Sequence, residues 1–301
     1  MALSKFEAAC INAFRNGSET PARGASETED WICFGFHILL RAGQMLRRNW
    51  AAGVRTSLQI KPDGSPTTTF EQEIESLVRD TLASFDPSAT LIGEESGGAL
   101  PTTGVALAVD PVDGTWSFVT GLGTYSTTLA VFRDRVPIVG MVLSPSMGKI
   151  GYAASDKQTR LVHLSVFGEP DSAADLVTRA DDSAKVLVNL HPNRSAGPLV
   201  AALYKAWQDD RIRVVRSAGG SPSWALLEAA KGDFVYVNLW PAPAAQPWDL
   251  AAGVTLVRCA GGEVTDLEGK AIDELSHQGP FVAGTSEGAR IRVIEIAREV
   301  L

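Results

Sequence analysis

The chain has 301 residues, with 27 Lys and Arg against 35 Asp and Glu, a balance of 27 − 35 = −8 with His neutral. That sign leaves no general attraction for nucleic-acid polymers or an anionic membrane, both of which need clustered Lys and Arg. At 45% apolar and 21% charged the composition is that of a globular protein, long enough for two domains or one large α/β unit. Cys10, Cys33 and Cys259 are far apart and form no C-x-x-C, so three free thiols in a reducing cytosol are expected. The first fifteen residues carry Lys5 and Glu7 and no apolar run of signal-peptide type. The longest apolar stretch, 31–40, contains His37 and stops at Arg41, too short for a bilayer. A cytoplasmic protein is expected.

In chain order, 3–15 reads as a short helix, and the polar stretch 16–30 as a linker or loose extension. A long helix is expected over 31–50, where Trp31, Phe34, Ile38, Met45 and Leu46 recur at helical spacing, closed at Ala52 and Gly53. Residues 61–66, Lys-Pro-Asp-Gly-Ser-Pro, form a turn cluster. A helix over 69–84 follows, then short strands at 90–93 and 104–109 that run into Glu94-Glu95 and Asp110. Segments 125–132 and 138–143 pair as strands around a turn at 133–136. Beyond residue 185, strands at 186–190, 212–215, 234–237 and 281–283 alternate with helices at 199–208, 224–231, 249–259 and 289–301, the rhythm of an α/β layer.

Several motifs fail on context. Gly284-Thr285-Ser286-Glu287-Gly288 matches G-x-S-x-G, but no Asp or His follows Ser286, so an esterase triad has no partners and the segment reads as a strand-to-helix turn. Gly121-Leu122-Gly123 lacks the third glycine of a dinucleotide loop. The four histidines, at 37, 163, 191 and 277, have no metal-ligand spacing. What remains is a set of carboxylates, each placed just after an apolar run: Glu94-Glu95, Asp110 with Asp113, and Asp249. An acid after a strand is often a turn former or helix cap, and Asp249 alone would suit a cap. Pro111 between Asp110 and Asp113 stiffens their loop, and Gly114 permits close backbone approach. Acids at strand ends of an α/β layer converge in one crevice. Four carboxylates at ~5 Å spacings would repel by ~20 kcal/mol in total at an effective dielectric of 20. That exceeds an ordinary fold stability of roughly 5–15 kcal/mol, so the cluster must take protons or cations. An all-oxygen set favours Mg²⁺ over zinc.

Gly93-Glu94-Glu95-Ser96, Asp110-Pro111-Val112-Asp113-Gly114-Thr115, and Trp248-Asp249-Leu250-Ala251-Ala252-Gly253 with Ala260-Gly261-Gly262 closely resemble, in order, the three signature segments of the inositol monophosphatase superfamily. The resemblance runs from about residue 30 to the C-terminus. It implies an α+β or α/β fold, a layered αβαβα sandwich of the sugar-phosphatase type, and a Mg²⁺-dependent, lithium-sensitive phosphomonoesterase. It divides the chain into an extension, 1–29, a metal-binding half, 30–155, and an α/β half, 156–301, that completes the site. It implies that Glu94, Asp110 and the Val112 carbonyl hold one Mg²⁺, and that Asp110, Asp113 and Asp249 hold a second. A third ion would sit near Glu94. The amides of Gly114 and Thr115 would receive the phosphate. Glu94, Thr115 and an upstream acid would form the catalytic set; Glu71 stands where the family usually has Asp. Lys61, Ser117 and Asn238 are the substrate-binding candidates.

Three features differ from the inositol-type pattern. Trp116-Ser117-Phe118 follows the Asp-Gly-Thr segment, which is more like the histidinol-phosphatase branch. Residues 238–246 hold no acid where many members have a substrate-contacting Glu, and Arg258 stands where Glu is common. The implied reaction is hydrolysis of a small phosphorylated alcohol, inositol monophosphate first and histidinol phosphate second, by a homodimer. The rival from another class is a metal- or ligand-binding regulatory member with weak catalysis.

Overall fold

The structure is a computed structural model and describes residues 2–52, 58–62, 64–166, 169–176, 184–189, 197–239 and 246–300. Two sheets and three helical layers alternate through the molecule. Helices α1 (Lys5–Arg15), α2 (Glu27–Ala52) and α3 (Thr69–Phe85) belong to the first layer. They cover a seven-stranded sheet of order β3-β4-β5-β6-β7-β8-β9. Its strands are β3 (Thr90–Gly93), β4 (Val105–Asp113), β5 (Ser126–Arg133), β6 (Val136–Ser144), β7 (Lys149–Ala154), β8 (Arg160–Val166) and β9 (Glu169–Asp175). The middle layer is α6 (Pro222–Ala230) and α7 (Pro247–Cys259). Behind it lies a five-stranded sheet of order β11-β10-β12-β14-β13. Its strands are β10 (Lys185–Asn189), β11 (Val214–Ser217), β12 (Val235–Asn238), β13 (Glu263–Thr265) and β14 (Phe281–Gly284), covered by α5 (Gly197–Gln208) and α8 (Glu287–Arg298). The short α4 (Thr115–Thr120) and the hairpin of β1 (Leu58–Ile60) and β2 (Pro66–Thr68) lie beside the ends of the first sheet. The expected αβαβα sandwich is the one observed.

Strand alternation explains the layering. Leu107 and Val109 of β4, with Leu129 and Val131 of β5, face α2 in one apolar cluster. Ala108 and Ala130, from the same strands, face α6 and α7 in another. Successive side chains of a strand point to opposite faces, so a strand buried on both sides reads as an unbroken apolar run. Small residues set the depth of helix docking. A Cβ on Gly140 of β6 would lie 2.7 Å from the Ala252 carbonyl of α7, so only glycine admits the helix this close. The expected hairpin of β5 and β6 turns through Asp134 and Arg135, both at positive φ. Ser286 accepts a hydrogen bond from the Ala289 amide at 3.2 Å and caps α8, the strand-to-helix turn expected there.

One expectation is corrected at the N-terminus. Cys10 and Cys33 are bonded to each other, with their Cα atoms 5.3 Å apart, and Cys259 is the free cysteine. The cysteines therefore no longer argue for a reducing compartment. The short helix expected over 3–15 forms and is bound into the fold. Cys10 and Ile11 of α1 pack in the α2 cluster. Glu7, 0% exposed, binds Arg160 of β8 through Nε at 3.0 Å and Nη2 at 2.9 Å, and accepts from the Tyr152 hydroxyl at 2.7 Å. The Ser4 amide adds a bond at 2.6 Å and completes a capping box. The first sheet also runs on through β8 and β9, past the boundary expected at residue 155. Among the described residues no helix is long and apolar enough to cross a membrane.

Candidate active site

The acids converge because each closes a strand or opens a helix on one side of the molecule. β3 delivers Gly93 and the Glu94-Glu95 loop, and the parallel β4 delivers Asp110 and Asp113. The ladder of β4 with β5 is irregular between these two acids, so both occur within a strand whose register breaks around Pro111-Val112. Asp249 lies in the first turn of α7, three residues after the N-cap Gln246. It is therefore not the cap that its local sequence suggested. Its Oδ2 accepts from the Gln246 amide at 2.8 Å, which stabilises the helix start while the side chain stays in the field of Asp113 and Glu94. Glu71 occupies the equivalent place in α3, where one oxygen accepts from the Thr68 amide at 3.0 Å and the other from the Thr67 hydroxyl at 3.1 Å.

Glu71, Glu94 and Glu95 each present an oxygen within 4.8 Å of the others, a grouping able to hold a metal ion. Lys61 joins them, its ammonium 3.0 Å from Glu94 and 2.7 Å from Glu95. Burial would lower the Lys61 pKa, but hydrogen bonds and charge from Glu95 and Glu94 outweigh it and raise it. Burial, followed by the charges of Glu94 and Glu95, pushes Glu71 up to about 8. Burial likewise lifts Asp113 to about 7, against the donors Ser221 and Ser223. Asp249 rises to about 7 by burial, opposed by the Gln246 amide and reinforced by Asp113 and Glu94. Asp110, 2% exposed, is raised well above its ordinary range by burial, then by Glu94, Asp113 and Asp249. One electrostatic field thus joins Glu71, Glu94, Asp110, Asp113 and Asp249, on four separate chain segments.

The remaining expected residues have distinct surroundings. The Val112 amide donates to Asp110 Oδ1 at 2.9 Å, while its carbonyl accepts from the Thr115 hydroxyl at 3.1 Å. Gly114, at φ +88°, turns the chain from β4 into α4. The Ser117 hydroxyl donates to the Gly219 carbonyl and accepts from Thr124 at 3.2 Å, so this side chain ties α4 to the 219 turn. Asn238 is buried at the end of β12, and 240–245 of the expected pocket wall lie outside the described residues. Arg258 pairs with Glu274 at 2.7 Å, at the opposite end of α7 from Asp249. His191 lies outside the described residues; His37 is buried within α2, and His277 bonds the Gly279 carbonyl at 3.1 Å.

Several supporting residues were not singled out in the sequence. Asp113 Oδ2 accepts from the Ser223 amide at 2.7 Å, the Ser221 hydroxyl at 2.8 Å and the Ser126 hydroxyl at 3.3 Å. The Ser221-Pro222-Ser223 segment carried a helix-start signal that would have placed these donors at an N-terminus. Glu75, 2% exposed, accepts from the Glu95 amide at 3.0 Å and the Ser96 amide at 3.1 Å, holding the acidic loop from beneath. Its position one turn after Glu71, on the same face of α3, was the available signal.

Residues 27–300 match the family model described as the inositol monophosphatase family. The histidinol-phosphatase of Mycobacterium tuberculosis is 32% identical over 231 residues, covering 77% of this chain and 85% of that one. A fructose-1,6-bisphosphatase/inositol-1-monophosphatase of Thermotoga maritima is 24% identical over 274 residues, covering 90% of this chain and 98% of its own. In fold, the extragenic suppressor protein suhB of Bartonella henselae superposes with a TM-score of 0.74 at 20% identity, over 90% of this chain and 99% of that chain. With the acids of three ordered segments gathered in one crevice, the chain belongs to the inositol monophosphatase family and is a phosphatase of that family.

Proposed function

We propose that the protein hydrolyses the phosphate monoester of a small alcohol with Mg²⁺, inositol monophosphate being the first substrate to test. The observation that carries this reading is the convergence of Glu71, Glu94, Asp110, Asp113 and Asp249, four of them held above the ordinary carboxylate range. A buried oxygen-only set with raised proton affinity suits hard divalent cations, which relieve the same repulsion that favours protonation. Glu94, Asp110, Asp113, Asp249 and the Val112 carbonyl would hold two Mg²⁺, and the grouping of Glu94 with Glu71 and Glu95 suits a third. Bound Mg²⁺ supplies Lewis-acid polarisation of the attacking water and of the phosphate.

The chain's own groups then divide the work. The Thr115 hydroxyl proton is engaged by the Val112 carbonyl, which leaves the Thr115 oxygen lone pairs to orient the attacking water. Glu71 accepts the proton from that water once bound cations have relieved the repulsion from Glu94 and Glu95 that favours its protonated form. Glu94 is held toward the cluster by Lys61 and by its loop's bonds to Glu75. The amides of Gly114 and Thr115 bind phosphate oxygens, Lys61 and Asn238 are the substrate-binding candidates, and Ser117, its hydroxyl committed to Gly219 and Thr124, positions α4 rather than the ester. Assembly as a homodimer belongs to the same reading.

Histidinol phosphate is the second substrate, favoured by the 32% identity to a histidinol-phosphatase. Phosphate release from a panel of inositol, histidinol, sugar and nucleotide monoesters, with Mg²⁺ and after chelation, tests the proposal. Release that requires Mg²⁺ is expected. A folded, Mg²⁺-loaded protein that released phosphate from none of them would overturn it and leave the regulatory reading.

A further inference from the structure

Helix α3 carries two buried glutamates, Glu71 and Glu75, one turn apart on the same face. Like charges at that spacing weaken a helix, so the pair needs a reason outside α3. Glu71 joins the grouping with Glu94 and Glu95. Glu75, its side chain 2% exposed, turns instead to the backbone of the loop that carries those two acids. Its Oε2 accepts from the Glu95 amide at 3.0 Å, and the Ser96 amide reaches Oε1 at 3.1 Å and Oε2 at 3.3 Å. Successive backbone N–H groups around one anion form a nest. Here the anion is fixed to a helix, so the backbone is the part that is held.

Gly93 is matched to this contact. A Cβ there would lie 2.7 Å from Glu75 Cδ and 2.8 and 2.9 Å from its two oxygens, so only glycine lets the carboxylate come this close to the strand end. Arg79, half exposed and one turn further along α3, meets Glu75 Oε1 at 3.4 Å. Two amides and a guanidinium thus answer the buried charge. The ends of the loop are tied separately. Gly93 and Gly97 exchange backbone bonds at 3.1 and 2.8 Å, and the Glu94 amide bonds the Val109 carbonyl at 3.3 Å. Glu75 holds the middle, directly after Glu94. The reaction scheme gives it neither ion nor ester to touch.

We propose that Glu75, with Gly93 leaving room for it, is a positioning residue that sets the Mg²⁺ affinity of the site by fixing the backbone of Glu94 and Glu95 before an ion arrives. The proposal rests on the phosphatase reading above and adds the group that preorganises its metal loop. Adjacent carboxylates repel, and a loop free to move would carry them apart. Mg²⁺ demands near-ideal octahedral geometry, so an ion that must first gather its ligands binds more weakly. Loss of a group that supports metal ligands without being one typically weakens metal binding by about 10–100-fold.

The test measures Mg²⁺ binding by calorimetry, well below the melting temperature, in the wild type, Glu75→Gln, Gly93→Ala and Glu7→Gln. The Mg²⁺ dependence of phosphate release is measured alongside, with the best ester of the panel. Gln keeps the size of Glu but turns an NH₂ donor toward amide donors. Ala at position 93 displaces the carboxylate. Both variants should bind Mg²⁺ about tenfold more weakly and need correspondingly more of it for half-maximal rate. At saturating Mg²⁺ their kcat and KM should return close to the wild-type values. Glu7→Gln, destabilised far from the site, should keep wild-type affinity, which separates positioning from loss of stability. Unchanged affinity in Glu75→Gln, equal weakening in Glu7→Gln, or a kcat that excess Mg²⁺ does not restore would overturn the proposal. Failure of both Glu75→Gln and Gly93→Ala to fold would assign the contact to the fold and overturn it as well. If the wild type binds Mg²⁺ but releases phosphate from no ester, the phosphatase reading fails and the calorimetry still decides Glu75; a wild type that binds no Mg²⁺ refutes both.

Discussion

Asp113 has one carboxylate oxygen committed to three protein donors, from Ser221, Ser223 and Ser126. Those bonds lower its pKa, yet burial still holds it at about 7, which measures how strongly the crevice disfavours unpaired negative charge. Asp113→Asn removes the charge and keeps an acceptor for the same donors. Phosphate release by this variant should fall at least about a hundredfold in kcat/KM, the scale of losing one electrostatic stabiliser. Its melting temperature at pH 8 without divalent cations should rise above that of the wild type, because repulsion is relieved. Wild-type turnover in Asp113→Asn would remove this residue from the metal set. The acidic residues themselves were legible in the sequence, since apolar strands that end in carboxylates are visible by inspection. Ser126, Ser221 and Ser223 were not, because they come from two distant segments and meet Asp113 only when β5 and α6 pack beside β4.

Helix α1 lies before the segment that matches the family, yet it is bound into the fold by a disulfide and by a buried ionic group. Arg160, the Tyr152 hydroxyl and Ser4 together hold Glu7 below its ordinary range, although burial alone would raise it. Removing one partner of such a buried pair leaves the other uncompensated. Glu7→Gln should therefore destabilise the protein by roughly 3 kcal/mol in denaturant unfolding. Reduction of Cys10–Cys33, which closes a separation of 23 residues, should cost about 3 kcal/mol more. A reductant that left the wild-type melting temperature where Cys10→Ser has it would confirm the bridge; identical melting with and without reductant would argue against it. Neither feature was legible locally. Glu7 lies within a short amphipathic helix, and its partners on β7 and β8 are about 150 residues away. The β7–β9 strands were missed for a related reason. β9, Glu-Pro-Asp-Ser-Ala-Ala-Asp, holds a proline and no β-branched residue, a composition suited to an edge and poor as a strand signal.

For the whole molecule, the raised carboxyl groups link stability to pH and to Mg²⁺. Glu71 at about 8, with Asp113 and Asp249 at about 7, binds protons more tightly folded than unfolded. Their contribution to stability is thus fully present below the unfolded value near ~4 and is lost as pH rises through the folded values. Without divalent cations, the melting temperature should fall between pH 5 and pH 8, in the range of about 5 to 8 set by those groups. Mg²⁺ should restore it most at the alkaline end, where the carboxylates are free of protons. Thermal melts across pH, with and without Mg²⁺, test this; a metal-free stability that rises toward pH 8 would mean that the acids do not share one field.

The sequence by itself determined the acids, their order, and the layered class, because strand alternation, helical periodicity and turn residues are local properties that survive inspection of one chain. It also bounded the chemistry, since four carboxylates without His or Cys can accept only protons or hard cations. What the tertiary structure decided is who stands beside whom. It put Asp249 in the third helical position rather than the cap, placed Lys61 between Glu94 and Glu95, paired Cys10 with Cys33, and set Asn189 beside Asn238. Each of these is a contact between segments far apart in the chain. Its energy depends on burial and on the neighbour's charge, and neither quantity is carried by any residue alone.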